Sequence, residues 1–161
     1  MSGHQTILSS DIFRLQTRGT SADGAELRMD FTGDAGGSGV KSSADLVSAE
    51  QWYFISMRYD AEDMLLEVFL QDDSSPTVSG SPVFTRTLGG TGFDAVSQFQ
   101  LGYNGLSGLG GGDAFLGQID GARFFDFWLD AAAMQDVYGL YYIREPGTAL
   151  LLALGGMLLA L

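Results

Sequence analysis

Short segments of alternating or apolar residues recur along the chain, and Gly, Asp and Ser separate them. Leu27, Met29 and Phe31 alternate with charged residues, so one face of this segment is apolar and the other polar, as in a half-buried β-strand. The same reasoning predicts further strands with glycine-rich loops between them. Strands are expected at 5–9, 12–16, 26–31, 51–59, 64–71, 83–88, 97–103 and 115–128, the last with a bulge at Gly121, and loops at 33–43 and 105–113.

Two of these segments predict a hairpin. Residues 51–59 are rich in aromatic and β-branched side chains, which favour strands, and residues 64–71 follow as a second strand. The turn residues 60–63 (Asp-Ala-Glu-Asp) lie between them. We therefore expect an antiparallel hairpin with a four-residue loop.

One short helix is predicted near the end of the globular part. Asp130 is suited to accept hydrogen bonds from the free N–H groups of a first helical turn, and the alanine run after it propagates a helix well. Met134 and either Val137 or Tyr138 are expected to face the sheet. Gly139 is expected to end the helix, because glycine favours the position just after a helical C-terminus.

Composition and charge narrow the classes of partner. A chain of 161 residues suits one domain with a sizeable core. The formal net charge of −12 would repel nucleic-acid phosphates, so nucleic acid is not an expected partner. The acidic groups suit Ca²⁺, which prefers oxygen ligands, but they equally serve to keep the protein soluble.

Several kinds of catalytic and metal site are excluded or disfavoured. The chain has no cysteine, which rules out disulfides, thiolate catalysis and Cys-ligated zinc. The single histidine, His4, lies near the start, where it is poorly placed for a Ser-His-Asp site. The first residues have neither the basic start nor the apolar stretch of a secretory signal peptide.

Two stretches resemble the laminin G-like family of concanavalin A-like lectin/glucanase domains. Residues 51–60 (QWYFISMRYD) and 66–72 (LEVFLQD) are similar to the family's W-H-H-V-A-V-T-Y-D-G strand and its L-R-L-Y-V-D-G partner. Residues 115–126 (FLGQIDGARFFD) resemble F-x-G-x-I-D-D-V-R-I-Y-D, and 129–138 resemble the helix that follows it. The two motifs occur in the family's order and with its spacing.

The resemblance covers roughly 5–142 and implies an all-β fold, a concanavalin A-like antiparallel jelly-roll sandwich with one short C-terminal helix, spanning 1–143. It also implies that Trp52 is buried near the start of a central strand. Residues 5–9 match an element that follows earlier strands in the family. We therefore expect the chain to be an N-terminally truncated fragment or a short form.

The resemblance also suggests a metal ligand. Asp120 matches the Asp of the family's I-D-x-V-R strand, which often contributes to a structural calcium. Because Ca²⁺ takes six to eight oxygens, further ligands would be needed. The alternative is that Asp120 pairs with Arg123 or ends the strand ladder.

Residues 144–161 differ in kind and resemble the PEP-CTERM sorting signal of Gram-negative bacteria. Glu145 and Pro146 precede an apolar run over 149–161, but Arg144 replaces the signal's first proline and no basic end follows. At ~1.5 Å per residue the run spans about 20 Å, short of a ~30 Å hydrocarbon core. The resemblance implies export to the cell surface or exterior, membrane contact through this tail, and an exosortase-type sorting enzyme. The alternative is an ordinary hydrophobic C-terminus.

Binding is the favoured function. Glycosidases that share the sandwich carry paired carboxylates in a Glu-x-Asp-x-x-Glu pattern, which the chain lacks, so no enzymatic activity is expected. We expect a module that binds glycans or cell-surface and matrix proteins through loops at a rim, with Tyr59, Tyr103 and Asn104 as ligand-binding residues. A structural accessory domain and a degenerate glycoside hydrolase relative are the alternatives. Aromatic residues in strands more often belong to the core, but some can stack on sugar rings. The candidates are Tyr53, Tyr59, Tyr103, Phe125 and Trp128.

Overall fold

The computed structural model describes residues 3–21, 24–32, 40–41, 46–89, 96–103 and 113–141. Within these residues the chain forms nine strands and one helix. They are β1 (Gly3–Ser10), β2 (Phe13–Ser21), β3 (Gly24–Phe31), β4 (Val40–Lys41), β5 (Tyr53–Asp60), β6 (Leu65–Asp72), β7 (Phe84–Thr87), β8 (Phe99–Leu101), β9 (Asp113–Ala114) and α1 (Ala131–Tyr141).

The strands form two sheets. The larger has the order β4-β3-β2-β1-β8, and β9 also pairs with β1. All its pairs are antiparallel except the short parallel pair between β1 and β9. The smaller sheet, β5-β6-β7, is antiparallel throughout. The prediction of an all-β chain with one short helix is confirmed.

The predicted hairpin is formed by β5 and β6, whose register runs from Tyr53 opposite Asp72 to Asp60 opposite Leu65. Its four-residue turn lies at 61–64, one position later than expected. Asp60 closes this turn, because its Oδ1 accepts hydrogen bonds from the backbone N–H groups of Glu62 (2.9 Å) and Asp63 (3.3 Å).

One apolar cluster joins the two sheets. The expected inward face of β3 is confirmed, since Leu27, Met29 and Phe31 are all buried. Side chains from the smaller sheet belong to the same cluster, so burial of apolar surface holds the sheets together. The buried members of the cluster are Phe13, Leu15, Leu27, Met29, Phe31, Leu66, Val68, Leu70, Phe84 and Leu88.

The opposite face of the larger sheet carries a buried polar network. The Asp30 carboxylate accepts hydrogen bonds from Arg14 Nη2 (3.2 Å), Gln16 Nε2 (2.6 Å) and Arg28 Nε (2.7 Å). His4 Nδ1 lies 3.3 Å from Gln16 Oε1. Since Arg14, Gln16 and Asp30 are buried, their charges and polar atoms depend on these partners for the solvation that water would otherwise supply.

The prediction of a long strand over 115–128 is wrong. Only β9, just before this segment, is a strand, and residues 115–130 belong to no strand or helix. The side chains have strand-like character, but a strand also needs a neighbour for its N–H and C=O groups, and none pairs with it among the described residues. Its large side chains, such as Leu116 (69% exposed) and Phe127 (63% exposed), consequently face solvent. Gly121, where a bulge was expected, has a positive φ of 65°.

Two further predictions are corrected. Trp52 is not buried but 49% exposed, because it lies just before β5, and Tyr53 packs against the core instead. Gly139 does not end the helix, which continues through it to Tyr141. A side chain at Gly139 would meet open space, so it lies on the solvent side of α1, where glycine is tolerated at a cost in stability.

The Asp11 carboxylate holds the segment that precedes β8 against the larger sheet. The hydroxyl of Ser97 donates to Asp11 Oδ2 (2.7 Å), and the backbone N–H of Ser97 donates to the same oxygen (3.3 Å). The hydrogen bond from the Ser97 hydroxyl lowers the pKa of Asp11 below its usual value. This contact connects the β1–β2 turn to the segment that leads into β8.

Asp30 provides a test of the polar network. We expect Asp30→Ala to lower the free energy of unfolding by about 3 kcal/mol, because it leaves two guanidinium groups without their shared carboxylate. Urea unfolding checks this, with the exposed Glu62→Ala as the control. A loss for Asp30→Ala no larger than that of the control would contradict the role of the network.

Asp11 provides a test by pH. Its folded-state pKa is depressed, so its stabilising contribution is present above about pH 4 and is lost as the pH falls through the folded-state pKa. The stability difference between the wild type and Asp11→Asn is therefore expected to be constant near neutral pH and to shrink below about pH 4. Urea unfolding at several pH values measures it, with Asp63→Asn in the exposed hairpin turn as the control. A difference that does not change with pH would show that the Asp11 charge is not responsible.

Candidate ligand-binding cleft

An open cleft of about 420 Å³ lies at the turn end of the β5–β6 hairpin, and Tyr59, Asp60, Ala61 and Trp128 line it. Asp60 is fixed there because its Oδ1 closes the turn. The side chain of Trp128 is 44% exposed, which leaves aromatic surface accessible. The cleft thus combines an aromatic ring with a carboxylate that has a defined position.

Trp128 is held by Arg58, which points away from the core. The guanidinium carbon of Arg58 lies 4.5 Å from the centroid of the Trp128 ring and 4.7 Å from that of Phe69. Arg58 Nε donates to Glu67 Oε2 at 2.6 Å, and Arg58 Nη1 donates to the carbonyl oxygen of Leu129 at 3.3 Å. The contacts connect the outer face of the smaller sheet to the segment that enters α1.

Helix α1 begins next to this contact. The carboxylate Oδ1 of Asp130 accepts a hydrogen bond from the backbone N–H of Ala133 (2.8 Å), which confirms the predicted N-cap. Met134 and Tyr138 are buried, which confirms that both face the sheet. The Tyr138 ring packs at 5.1 Å from that of Phe54.

The far end of α1 is fixed by hydrogen bonds to the loop after β6. The Tyr138 hydroxyl donates to the carbonyl oxygens of Asp72 (3.2 Å) and Ser75 (2.5 Å). The side chain of Gln135 accepts from the N–H of Val78 (2.8 Å) and donates to the carbonyl oxygen of Pro76 (3.0 Å). The helix therefore covers the outer face of the smaller sheet, and its beginning places Trp128 beside the cleft.

The structure places the predicted ligand-binding residues in different parts of the fold. Tyr59 lines the cleft, although it also packs against the core. Tyr103 is half-exposed just after β8 in the larger sheet and does not line the cleft; its carbonyl oxygen accepts a hydrogen bond from the Ser9 hydroxyl (2.8 Å). Asn104 lies outside the described residues. A shared role for these three residues stays a prediction.

The metal and sorting predictions are left open. Asp120 is exposed, and no group of three or more His, Cys, Asp or Glu side chains able to hold a metal occurs among the described residues. Calcium binding at Asp120 therefore stays a prediction that needs ligands from elsewhere. Glu145 and Pro146 lie outside the part of the chain that the structure describes. Within that part, no helix is both long and apolar enough to cross a membrane.

Sequence reasoning named Trp128 among the candidate aromatics but missed Arg58 altogether. The available signal was the pairing of a basic and an acidic residue across the hairpin, since Arg58 lies directly opposite Glu67. With the loop placed at 60–63, Arg58 would instead have been opposite Leu65. An error of one position in the loop therefore concealed the pair.

Comparison with protein-family models, with curated proteins and with solved structures finds no match to the chain.

Proposed function

We propose that this chain is a non-enzymatic glycan-binding module whose sugar site is the cleft at Trp128. The observation that carries the proposal is that Trp128, which is 44% exposed, and Asp60 line the same cleft. A pyranose has a face of C–H groups, which packs on an aromatic ring, and a rim of hydroxyl groups, which donate to a carboxylate. A shallow open cleft suits such a flat, polar ligand.

The proposal also includes the fold family, the cellular location and a calcium site. Two sheets that share one core are compatible with a concanavalin A-like jelly-roll sandwich, the fold implied by the laminin G-like resemblance. The resemblance of 144–161 to a sorting tail supports an extracellular or cell-surface location in a Gram-negative bacterium, with processing by an exosortase-type enzyme. Calcium at Asp120 is a further part of the proposal.

A second candidate function is contact with a cell-surface or matrix protein. It is favoured by the exposed aromatic side chains that follow β9, including Phe124, Phe125 and Phe127. Exposed apolar surface of this kind is typical of protein contacts. A protein partner would use this surface, whereas a sugar would use the cleft.

Binding to a defined panel of neutral oligosaccharides tests the glycan site. The full chain is titrated with cellohexaose, xylohexaose and mannohexaose by calorimetry. We expect Trp128→Ala to weaken the binding of the preferred hexasaccharide by at least about tenfold, because the aromatic platform is lost. Trp52→Ala is the matched control, since Trp52 is similarly exposed but does not line the cleft.

Two outcomes would contradict the proposed site. One is that the wild type binds none of the three hexasaccharides, and the other is that Trp128→Ala binds as tightly as Trp52→Ala. Thermal unfolding of the wild type and of Asp120→Ala, each in Ca²⁺ and in chelator, tests the metal. If calcium binds through Asp120, the Tm of the wild type rises with Ca²⁺ and that of Asp120→Ala does not.

A further inference from the structure

We infer that Arg58 is a positioning residue that holds the indole of Trp128 with one face toward the cleft, and that the site so formed takes a neutral sugar. The role of Arg58 in binding rests on the proposed glycan site. Its effect on the orientation of Trp128 does not, and the two can be measured separately.

The guanidinium of Arg58 lies over two aromatic rings, and the three groups together are called the stack. One ring is that of Phe69, which is 1% exposed and therefore fixed by the sheet, and the other is that of Trp128. A planar guanidinium attracts the faces of both rings, and this attraction strengthens where water is excluded. Through Arg58, the fixed position of Phe69 on β6 restricts the motion of the exposed Trp128 side chain.

Hydrogen bonds fix Arg58 within the stack. Glu67, its partner on β6, accepts from Nε, and the carbonyl oxygen of Leu129 accepts from Nη1. The second bond holds the backbone directly after Trp128. Lysine has no planar group, so it cannot stack on both rings and also make both hydrogen bonds.

The chain around Trp128 gives Arg58 its importance. Residues 115–130 belong to no strand or helix, so regular backbone pairing does not orient the indole. A ring that is already held in place loses less conformational freedom when a ligand binds, which increases affinity. Loss of the stack should therefore weaken sugar binding although Arg58 itself does not line the cleft.

Local charge indicates the class of sugar. Glu67 compensates the charge of Arg58, and Asp60 adds a negative charge at the cleft itself. The whole chain carries a formal charge of −12. Uronic and sulfated sugars would be repelled by this environment, whereas a neutral pyranose would not.

The experiment uses a Trp52→Phe background, in which Trp128 is the only tryptophan of the chain, since the sequence has two. Acrylamide quenching and fluorescence anisotropy then report on Trp128 in the folded protein without ligand. Arg58→Met, which retains a long apolar side chain but removes the guanidinium, is expected to raise the quenching constant about twofold and to lower the anisotropy. Arg58→Lys is the second variant, because it keeps the charge opposite Glu67 and tests whether the planar group is required.

The outcomes separate the positioning role from a purely structural one. A structural role alone would lower Tm and leave the quenching of Trp128 unchanged in both variants, which would overturn the inference. Glu67→Gln is the matched control, since it removes a charge from the same contact but leaves the guanidinium over the rings. It is expected to change quenching less than Arg58→Met does.

Calorimetry measures the effect of Arg58 on sugar binding. With the neutral hexasaccharide that binds best, Arg58→Met is expected to raise Kd about tenfold. Polygalacturonate tests the charge class, and tighter binding of this acidic polymer than of the neutral sugar would overturn the assignment. If the wild type binds no sugar, the proposed glycan function and the inferred sugar class both fail, and quenching alone decides whether Arg58 positions Trp128.

Discussion

Strand β6 has buried side chains on both of its faces, and the rest of the described structure depends on this. One face contributes Leu66, Val68 and Leu70 to the core that joins the two sheets. The other face contributes Phe69, which is covered by Arg58 and through it by Trp128. Since side chains of a strand alternate between its faces, a single strand supports the core on one side and the cleft on the other. A change in the register of β6 would disrupt both, because it would exchange the two sets of side chains.

Local patterns in the sequence were sufficient to predict the parts of the fold that local interactions determine. The alternation at Leu27, Met29 and Phe31 identified the inward face of β3, and Asp130 identified the start of α1. Local patterns were not sufficient for the segment 115–128, which was predicted as a strand and is not one. Its apolar and β-favouring residues are compatible with a strand, but pairing depends on which other segment is adjacent. The environment of a tryptophan depends on tertiary structure in the same way, as the exposure of Trp52 shows.

The candidate site was predicted only in part, for a related reason. Tyr59 was predicted as one of several aromatic residues able to stack on a sugar, and it does line the cleft. The residue with more accessible ring surface, Trp128, reaches the cleft only because α1 packs across the smaller sheet. Arg58 could be recognised only from the cross-strand register, and the boundaries of turns are poorly determined by composition. Residues that act through pairing across strands are therefore harder to predict than residues that cap a helix.

Most of the arginines that the structure describes are engaged inside the protein, and this bears on how the acidic chain can bind a ligand. Of the 8 basic residues, Arg14, Arg28 and Arg58 make ion pairs with Asp30 or Glu67 in buried or half-buried positions, and Arg86 lies over the ring of Phe31. These guanidinium groups interact with partners inside the protein, so they are not available to an acidic ligand. With 20 acidic residues and 8 basic ones, the chain presents an acidic surface. A binding site in such a surface repels an acidic ligand, and it can bind a neutral one only through ring stacking and hydrogen bonds, which are the interactions proposed for the Trp128 cleft.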